Sequence, residues 1–222
     1  MRKIAIFGAG GLAREIASFI RDLSQAGQEY EILGFVVEDE SLFGREVAGL
    51  PIIPGVERLL ERGDATDAVI AIGRSAIIRK IANDERLLGA GLNFPNLIHR
   101  RAILDGGGVS MGNGNIICQG SILTTDIVLG SFNVVNYGCT IGHDVRIGDY
   151  CVINPGANVA GFVEIRSGVL VGTGAQILEY RKVGENATVG AGAVVTRDVP
   201  QSQVVVGVPA RPLEKLEDEP SV

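Results

Sequence analysis

The sequence predicts a small parallel α/β domain followed by a solenoid of short β-strands, a parallel β-helix. Two observations carry this prediction. From residue 111 to residue 195 an apolar residue recurs at every sixth position without a break, and glycine often follows it. Before residue 98, apolar runs alternate with a glycine loop and helical patterns. We expect residues 1–98 to form the α/β domain, 99–213 the solenoid and 214–222 an acidic tail.

The six-residue period excludes the simpler alternatives. A strand in a single sheet alternates with period two and an amphipathic helix repeats at about 3.6, so neither keeps phase over so many repeats. Short strands that turn corners do keep phase, and three sixes complete one triangular coil, so that residues 18 apart stack on one face. The apolar residues of the repeat are expected to point into the prism. They are Met111, Ile117, Leu123, Leu129, Val135, Ile141, Ile147, Ile153, Val159, Ile165, Val171, Ile177, Val183, Val189 and Val195.

The α/β domain is expected to be Rossmann-like. We predict strands at residues 3–7, 31–37, 68–72 and 94–98, with helices from the glycine loop to about residue 23 and from 75 to 88. The spacing of Gly8, Gly10 and Ala13 fits a loop that lets backbone N–H groups approach a phosphate, although a tight turn without a ligand has the same spacing. Glu38 follows the second strand, where dinucleotide-binding folds place an acid on a ribose hydroxyl; a solvated turn is the alternative.

Composition limits the partners and the compartment. The net charge of −6 argues against nucleic acid or an anionic membrane surface as a partner. The absence of an apolar run of about 18 residues and of a leader segment predicts a cytoplasmic protein. Cys118, Cys139 and Cys151 lack the C-x-x-C spacing of metal and disulfide frameworks, so we expect them to be small core residues.

One histidine on the solenoid is a candidate for chemistry. His143 stands at the third position of its hexad, where side chains face outward, and the 18-residue stacking places Thr125 and Gly161 in the neighbouring coils. Asp144 follows it directly and could hold the imidazole in one tautomer. An ordinary surface histidine remains the alternative on these observations alone.

The run from Asn136 to Asp149 resembles the sugar-nucleotide N-acetyltransferases of the left-handed β-helix superfamily. This group includes the bacillosamine, perosamine and viosamine acetyltransferases and related sialic-acid-type O-acetyltransferases. The segments 155–157, 190–195 and 207–211 and the glycine loop agree with the resemblance, which covers nearly the whole chain. It implies a left-handed solenoid, a homotrimer, acetyl-CoA as co-substrate, a nucleotide-linked amino sugar as acceptor and no metal.

The resemblance also implies roles for individual residues. His143 is the expected general base, and Asp144 the acid that orients it. The N–H of Gly161 is expected to face the thioester carbonyl. The remaining matches are Asn136 near the sugar, Thr173 and Ala191 along the pantetheine arm, and Gly8, Gly10 and Gly11 near the nucleotide.

Three departures from the family pattern leave details open. Leu12-Ala13 replaces a histidine-containing pair in the glycine loop, and the acids after the second strand come one place later, at Glu38-Asp39. The nucleotide base therefore stays open. Val152 stands where several members carry a second histidine that touches the acetyl group, so the acetyl contact stays open as well.

Two alternative functions remain, and the sequence disfavours two others. O-acetylation of a sialic-acid-type sugar uses the same base, and a non-catalytic, nucleotide-binding trimeric scaffold is the alternative from another class. A γ-type carbonic anhydrase needs three histidines at one zinc, and the chain has only His99 and His143. A nicotinamide dehydrogenase is disfavoured because no second catalytic α/β domain follows the glycine loop.

Overall fold

The computed structural model describes residues 2–25, 27 and 30–213, and these form an α/β domain joined to a three-sided β-helix. The predicted acidic tail at 214–222 lies outside the described residues. The fold class predicted from the sequence is confirmed in both parts.

The α/β domain is built on a five-stranded sheet of order β3-β4-β2-β1-β5. All neighbours pair in parallel except β3 and β4. Its elements are β1 (Arg2–Phe7), α1 (Gly11–Gln25), β2 (Tyr30–Val37), a 3₁₀ turn (Glu40–Leu42), β3 (Glu46–Val47), β4 (Leu50–Pro54), α2 (Gly55–Arg62), β5 (Asp67–Ile70), α3 (Ser75–Ala82) and α4 (Glu85–Gly89).

Two predictions for this domain need correction. The helix expected over 75–88 is two helices, because the chain breaks at Asn83 and the side chain of Asp84 caps α4 by accepting from the N–H of Arg86. The strand expected at 94–98 is only Leu97–Ile98, and it pairs with Ile116–Ile117 in the solenoid rather than with the α/β sheet. The hydrogen-bonded solenoid thus begins at Leu97, and the division between the domains at 98/99 stays a proposal.

Three parallel sheets form the sides of the solenoid, and strands 18 residues apart pair in register. We name each sheet for its outer face. The strands of the covered sheet are Leu97–Ile98, Ile116–Ile117, Val134–Val135, Val152–Ile153, Leu170–Val171, Thr188–Val189, Val204–Val206 and, antiparallel at its end, Arg211–Pro212. Those of the uncharged sheet are Ile103–Leu104, Ile122–Leu123, Thr140–Ile141, Asn158–Val159, Gln176–Ile177 and Val194–Val195. Those of the charged sheet are Val109–Met111, Ile127–Leu129, Arg146–Ile147, Glu164–Ile165 and Lys182–Val183.

The interior of the prism is the predicted one. Every apolar residue of the six-residue repeat is buried except Met111, which is half-buried in the first coil. Cys139 and Cys151 are buried in the same interior, and Cys118 is buried in the core that the α/β domain forms with the covered sheet. Burial raises the pKa of Cys118 and Cys151 to about 12 and that of Cys139 to about 11, so all three remain protonated thiols at neutral pH.

The three outer faces differ in what lies on them. The α/β domain packs on the covered sheet, where the outward side chains of Ile116, Val134 and Val152 join its hydrophobic core. The charged sheet presents Glu164 to the ammonium of Lys182, with 3.4 Å between the nearest oxygen and the nitrogen. The uncharged sheet presents Ile103 and Ile122, 63% and 38% exposed.

Candidate active site

Two corners of the prism carry the residues that the sequence singled out on the solenoid. The histidine corner, between the uncharged and charged sheets, holds His143, Asp144 and Gly161. The threonine corner, between the covered and uncharged sheets, holds Asn136, Thr173 and Ala191. These positions follow from the strands that flank each residue.

His143 and Asp144 form a hydrogen-bonded pair at the surface. The distance from Nδ1 of His143 to Oδ2 of Asp144 is 3.0 Å, and the two side chains are 56% and 43% exposed. Asp144 lies in the left-handed region, at φ 58°, which is where the corner of each coil turns. A carboxylate at Nδ1 favours the tautomer that carries its proton there, so the lone pair of Nε2 is free to accept a proton.

The His143 imidazole lies directly across Gly161 in the next coil. A Cβ on Gly161 would lie 2.6 Å from Cε1 and 2.8 Å from Nε2 of that ring, so only glycine fits beneath it. Among the described residues, no backbone acceptor pairs with the Gly161 N–H. The 18-residue stacking thus brings together a histidine, its carboxylate partner and a backbone N–H for which the described part of the chain supplies no backbone acceptor.

The threonine corner is separate from the histidine corner in one chain. Thr173 and Ala191 are exposed and stack in successive coils, with the N–H of Gly192 donating to the Thr173 carbonyl at 2.8 Å. Asn136 is buried, and its Oδ1 accepts from the N–H of Tyr137 at 2.9 Å. The full width of the uncharged sheet divides these residues from His143, so no single ligand group can touch both corners of one copy.

A cleft of about 610 Å³ opens at the carboxyl ends of β1, β2 and β5. Gly8 and Glu38 line it, together with Lys80 and Arg86. Gly8 takes φ +100°, and a Cβ there would lie 3.0 Å from the Ile72 side chain. Gly10 and Gly11 stand at the start of α1, and nothing lies within 4 Å of where a Cβ would be. Sheets of this kind bind ligands at this edge, where the strand order reverses.

Val152 does not reach the histidine corner. Its side chain is 1% exposed and packs in the core between the α/β domain and the covered sheet. A residue at this position contacts neither His143 nor a ligand beside it in the same chain.

Several known proteins are similar to this chain. Residues 3–84 match the family described as PglD N-terminal domain. The acetyltransferase domain of PglB from Neisseria gonorrhoeae, in complex with acetyl coenzyme A, is 32% identical; the match covers 96% of this chain and 99% of that one, with a TM-score of 0.84. WeeI from Acinetobacter baumannii AYE is 30% identical over 96% of this chain and 100% of that one, with a TM-score of 0.83.

The chain belongs to the hexapeptide-repeat sugar-nucleotide acetyltransferases. A further match of this acetyltransferase is a mutant of perosamine N-acetyltransferase from Caulobacter crescentus in complex with CoA and GDP-perosamine. It is 26% identical, covers 97% of this chain and 98% of that one, and has a TM-score of 0.87. The fold shared with these proteins is the left-handed β-helix. A comparison with curated protein sequences gives no significant match.

Two clusters in this acetyltransferase were missed from the sequence. Phe162 and Tyr180 stand beside His143 at the histidine corner, and their 18-residue spacing was a signal that could have found them. His99 is nearly buried against α1, where Asp22 lies 3.3 Å from its Nε2 and the N–H of Arg101 donates to its Nδ1. Nothing local in the sequence joins residue 22 to residue 99.

No helix among the described residues has the length and apolar character needed to cross a membrane. In the same part of the chain, no group of three or more His, Cys, Asp or Glu side chains could hold a metal ion.

Proposed function

We propose that this protein transfers the acetyl group of acetyl-CoA to the amine of a nucleotide-linked amino sugar. The observation that carries the proposal is the His143–Asp144 pair lying across Gly161 on the solenoid. Two similar proteins support the choice of ligands. The PglB domain has been captured with acetyl coenzyme A, and the perosamine N-acetyltransferase with CoA and GDP-perosamine.

His143 serves as the general base. Its Nε2 accepts a proton from the sugar amine as the amine nitrogen attacks the thioester carbon, and Asp144 holds the ring through Nδ1. The carbon–sulfur bond then breaks and the CoA sulfur leaves as a thiolate. The imidazole gives the proton that it took from the amine to this thiolate. An activated thioester needs no covalent enzyme intermediate, and none of the three buried cysteines is a thiolate that could form one.

The Gly161 N–H is the candidate donor to the oxyanion. The thioester oxygen gains negative charge as the tetrahedral intermediate forms, and a fixed backbone donor stabilises that charge without reorganising. The absence of a backbone acceptor for this N–H among the described residues leaves it available.

The nucleotide belongs in the cleft of the α/β domain. Gly10 and Gly11 leave the start of α1 open to a phosphate, and Glu38 can accept from ribose hydroxyls at the end of β2. Asn136 is assigned to the sugar end of the same substrate, and Thr173 and Ala191 to the pantetheine arm. The cytoplasm, where acetyl-CoA is available, stays our prediction for the compartment.

A homotrimer would complete the site. The α/β domain occupies the covered sheet, and the charged sheet has an outer face that is readily solvated. The uncharged sheet, with Ile103 and Ile122 exposed, is therefore the face left for a second copy. Threefold packing of that face sets the histidine corner of one copy beside the threonine corner of the next. Asn136, Thr173 and Ala191 would then approach His143 across the subunit boundary.

The test is a thiol-release assay with acetyl-CoA against a panel of nucleotide-linked amino sugars. General base catalysis contributes roughly 10²–10⁴-fold, so His143→Ala should lower kcat by about that factor while acetyl-CoA still binds. Asp144→Asn should lower kcat by a smaller factor, because the base remains. Near-normal kcat for His143→Ala at saturating substrates, in a protein that still assembles, would show that His143 is not the base.

A further inference from the structure

Two exposed aromatic rings extend the histidine corner along the solenoid. Phe162 and Tyr180 stack with 4.9 Å between centroids and 6° between planes, and Phe162 meets the His143 ring at 5.1 Å and 87°. They are 42% and 58% exposed. Both take φ 60°, the left-handed corner conformation that Asp126 and Asp144 occupy in the preceding coils.

A large ring at such a corner is costly unless it has a contact to make. The left-handed conformation costs an ordinary residue about 1–2 kcal/mol, and short polar residues such as aspartate tolerate it best. The corner between the charged and covered sheets holds a similar stack of Phe132 on Tyr150, and there the α/β domain packs on both rings through Phe94 and Arg79. At the histidine corner, the described residues of the same chain leave the two rings open.

The position of Phe162 relative to the base indicates what it contacts. Asp144 occupies the Nδ1 side of the imidazole, Gly161 lies beneath the ring, and Phe162 closes one further side. The amine that gives its proton to Nε2 must lie about 3–3.5 Å from the thioester carbon that it attacks. The acyl chain therefore starts within a few ångströms of the imidazole, in reach of the Phe162 ring.

We propose that Phe162 is the wall that limits the length of the transferred acyl chain. This inference rests on the proposed function and adds to it the class of thioester accepted. The methyl group of an acetyl thioester fits against the ring, and each further methylene collides with it. Phe162 is thus a specificity-determining residue for the acyl donor.

The experiment compares acetyl-CoA, propionyl-CoA and butyryl-CoA with one nucleotide-linked amino sugar. One methylene changes discrimination by roughly 10–200-fold, so wild-type kcat/KM should fall steeply from acetyl to butyryl. In Phe162→Ala the ratio of butyryl to acetyl kcat/KM should rise at least about tenfold, and Phe162→Leu should lie between. Because each ratio is taken within one variant, a general loss of stability or of base alignment cancels.

Tyr180→Ala is the matched control, since it removes the same kind of ring one coil farther from His143. It should keep the wild-type ratio to within a few-fold. The same ratio in wild type and Phe162→Ala, or an equal change in Tyr180→Ala, overturns the proposal. The ratio of the two Kd values, measured with the CoA thioesters alone, makes the same test independently of turnover. A wild-type protein that binds the thioesters selectively yet acetylates no sugar would count against the proposed function and not against the wall.

Discussion

Gly161→Ala is the substitution that tests the geometry of the site most directly. A Cβ at this position would meet the His143 ring at 2.6–3.1 Å, and the three nearest heavy atoms all belong to that ring. The backbone of Gly161 is outside the left-handed region, so alanine is tolerated by the main chain. The added methyl group therefore acts on the imidazole and on little else.

The size of the effect follows from the distance. Carbon atoms in ordinary contact lie about 3.5–4.0 Å apart, so the ring must retreat by about 1 Å. A misplacement of that size costs on the order of 10²-fold in rate. We expect Gly161→Ala to lower kcat by about this factor, with the thermal midpoint nearly unchanged. Gly106→Ala is the control, because a Cβ there meets nothing within 4 Å.

A double-mutant cycle by the thiol-release assay identifies the cause. With His143→Ala in place there is no ring to displace, so Gly161→Ala should then cost little more. An equal loss in both backgrounds would mean that the alanine acts through the backbone donor rather than through the imidazole. Wild-type kcat for Gly161→Ala alone would refute the assignment of this ring position to catalysis.

Three other changes test other parts of the molecule. Gly10→Val should raise the KM for the nucleotide-linked sugar and spare that for acetyl-CoA, because it fills the open space before α1; steady-state kinetics showing equal damage to both would contradict the cleft assignment. Ile122→Glu should convert the proposed trimer to monomers in light scattering, whereas Val128→Glu, equally exposed on the charged sheet, should not; a monomeric wild type would refute the proposed assembly itself. Burial lowers the pKa of His99 below 6.5, because the folded protein disfavours the charged imidazolium. The stability contributed by the neutral ring is present above pH 6.5 and is lost as the pH falls below 6.5. His99→Gln should reduce the difference in thermal midpoint between pH 7.5 and 5.5, and an unchanged difference would show that His99 does not cause it.

Part of the candidate site could be predicted from the sequence, because residues 18 apart stack in successive coils of the solenoid. His143 and Gly161 are 18 residues apart, and the structure sets the imidazole directly across that glycine. The Asp144 contact is local and equally readable. Asn136 could not be placed in the same way. It is only seven residues from His143, yet a corner and a strand separate the two, so nearness in the chain does not bring them together.

The sequence by itself determined the repeat, its buried residues and the glycine turn between β1 and α1. These features are local in the sequence, and the short-range periodicity predicts which side of each strand faces the interior of the prism. Only the tertiary structure decided which outer face the α/β domain covers, that Leu97–Ile98 joins the solenoid, and that Val152 lies in a core. It also decided that Phe162 stands against the catalytic candidate. The physical reason is that the inward repeat is the same on all three sides of the prism, so it does not say which outward face is covered; that depends on distant elements packing on one face and leaving the others open.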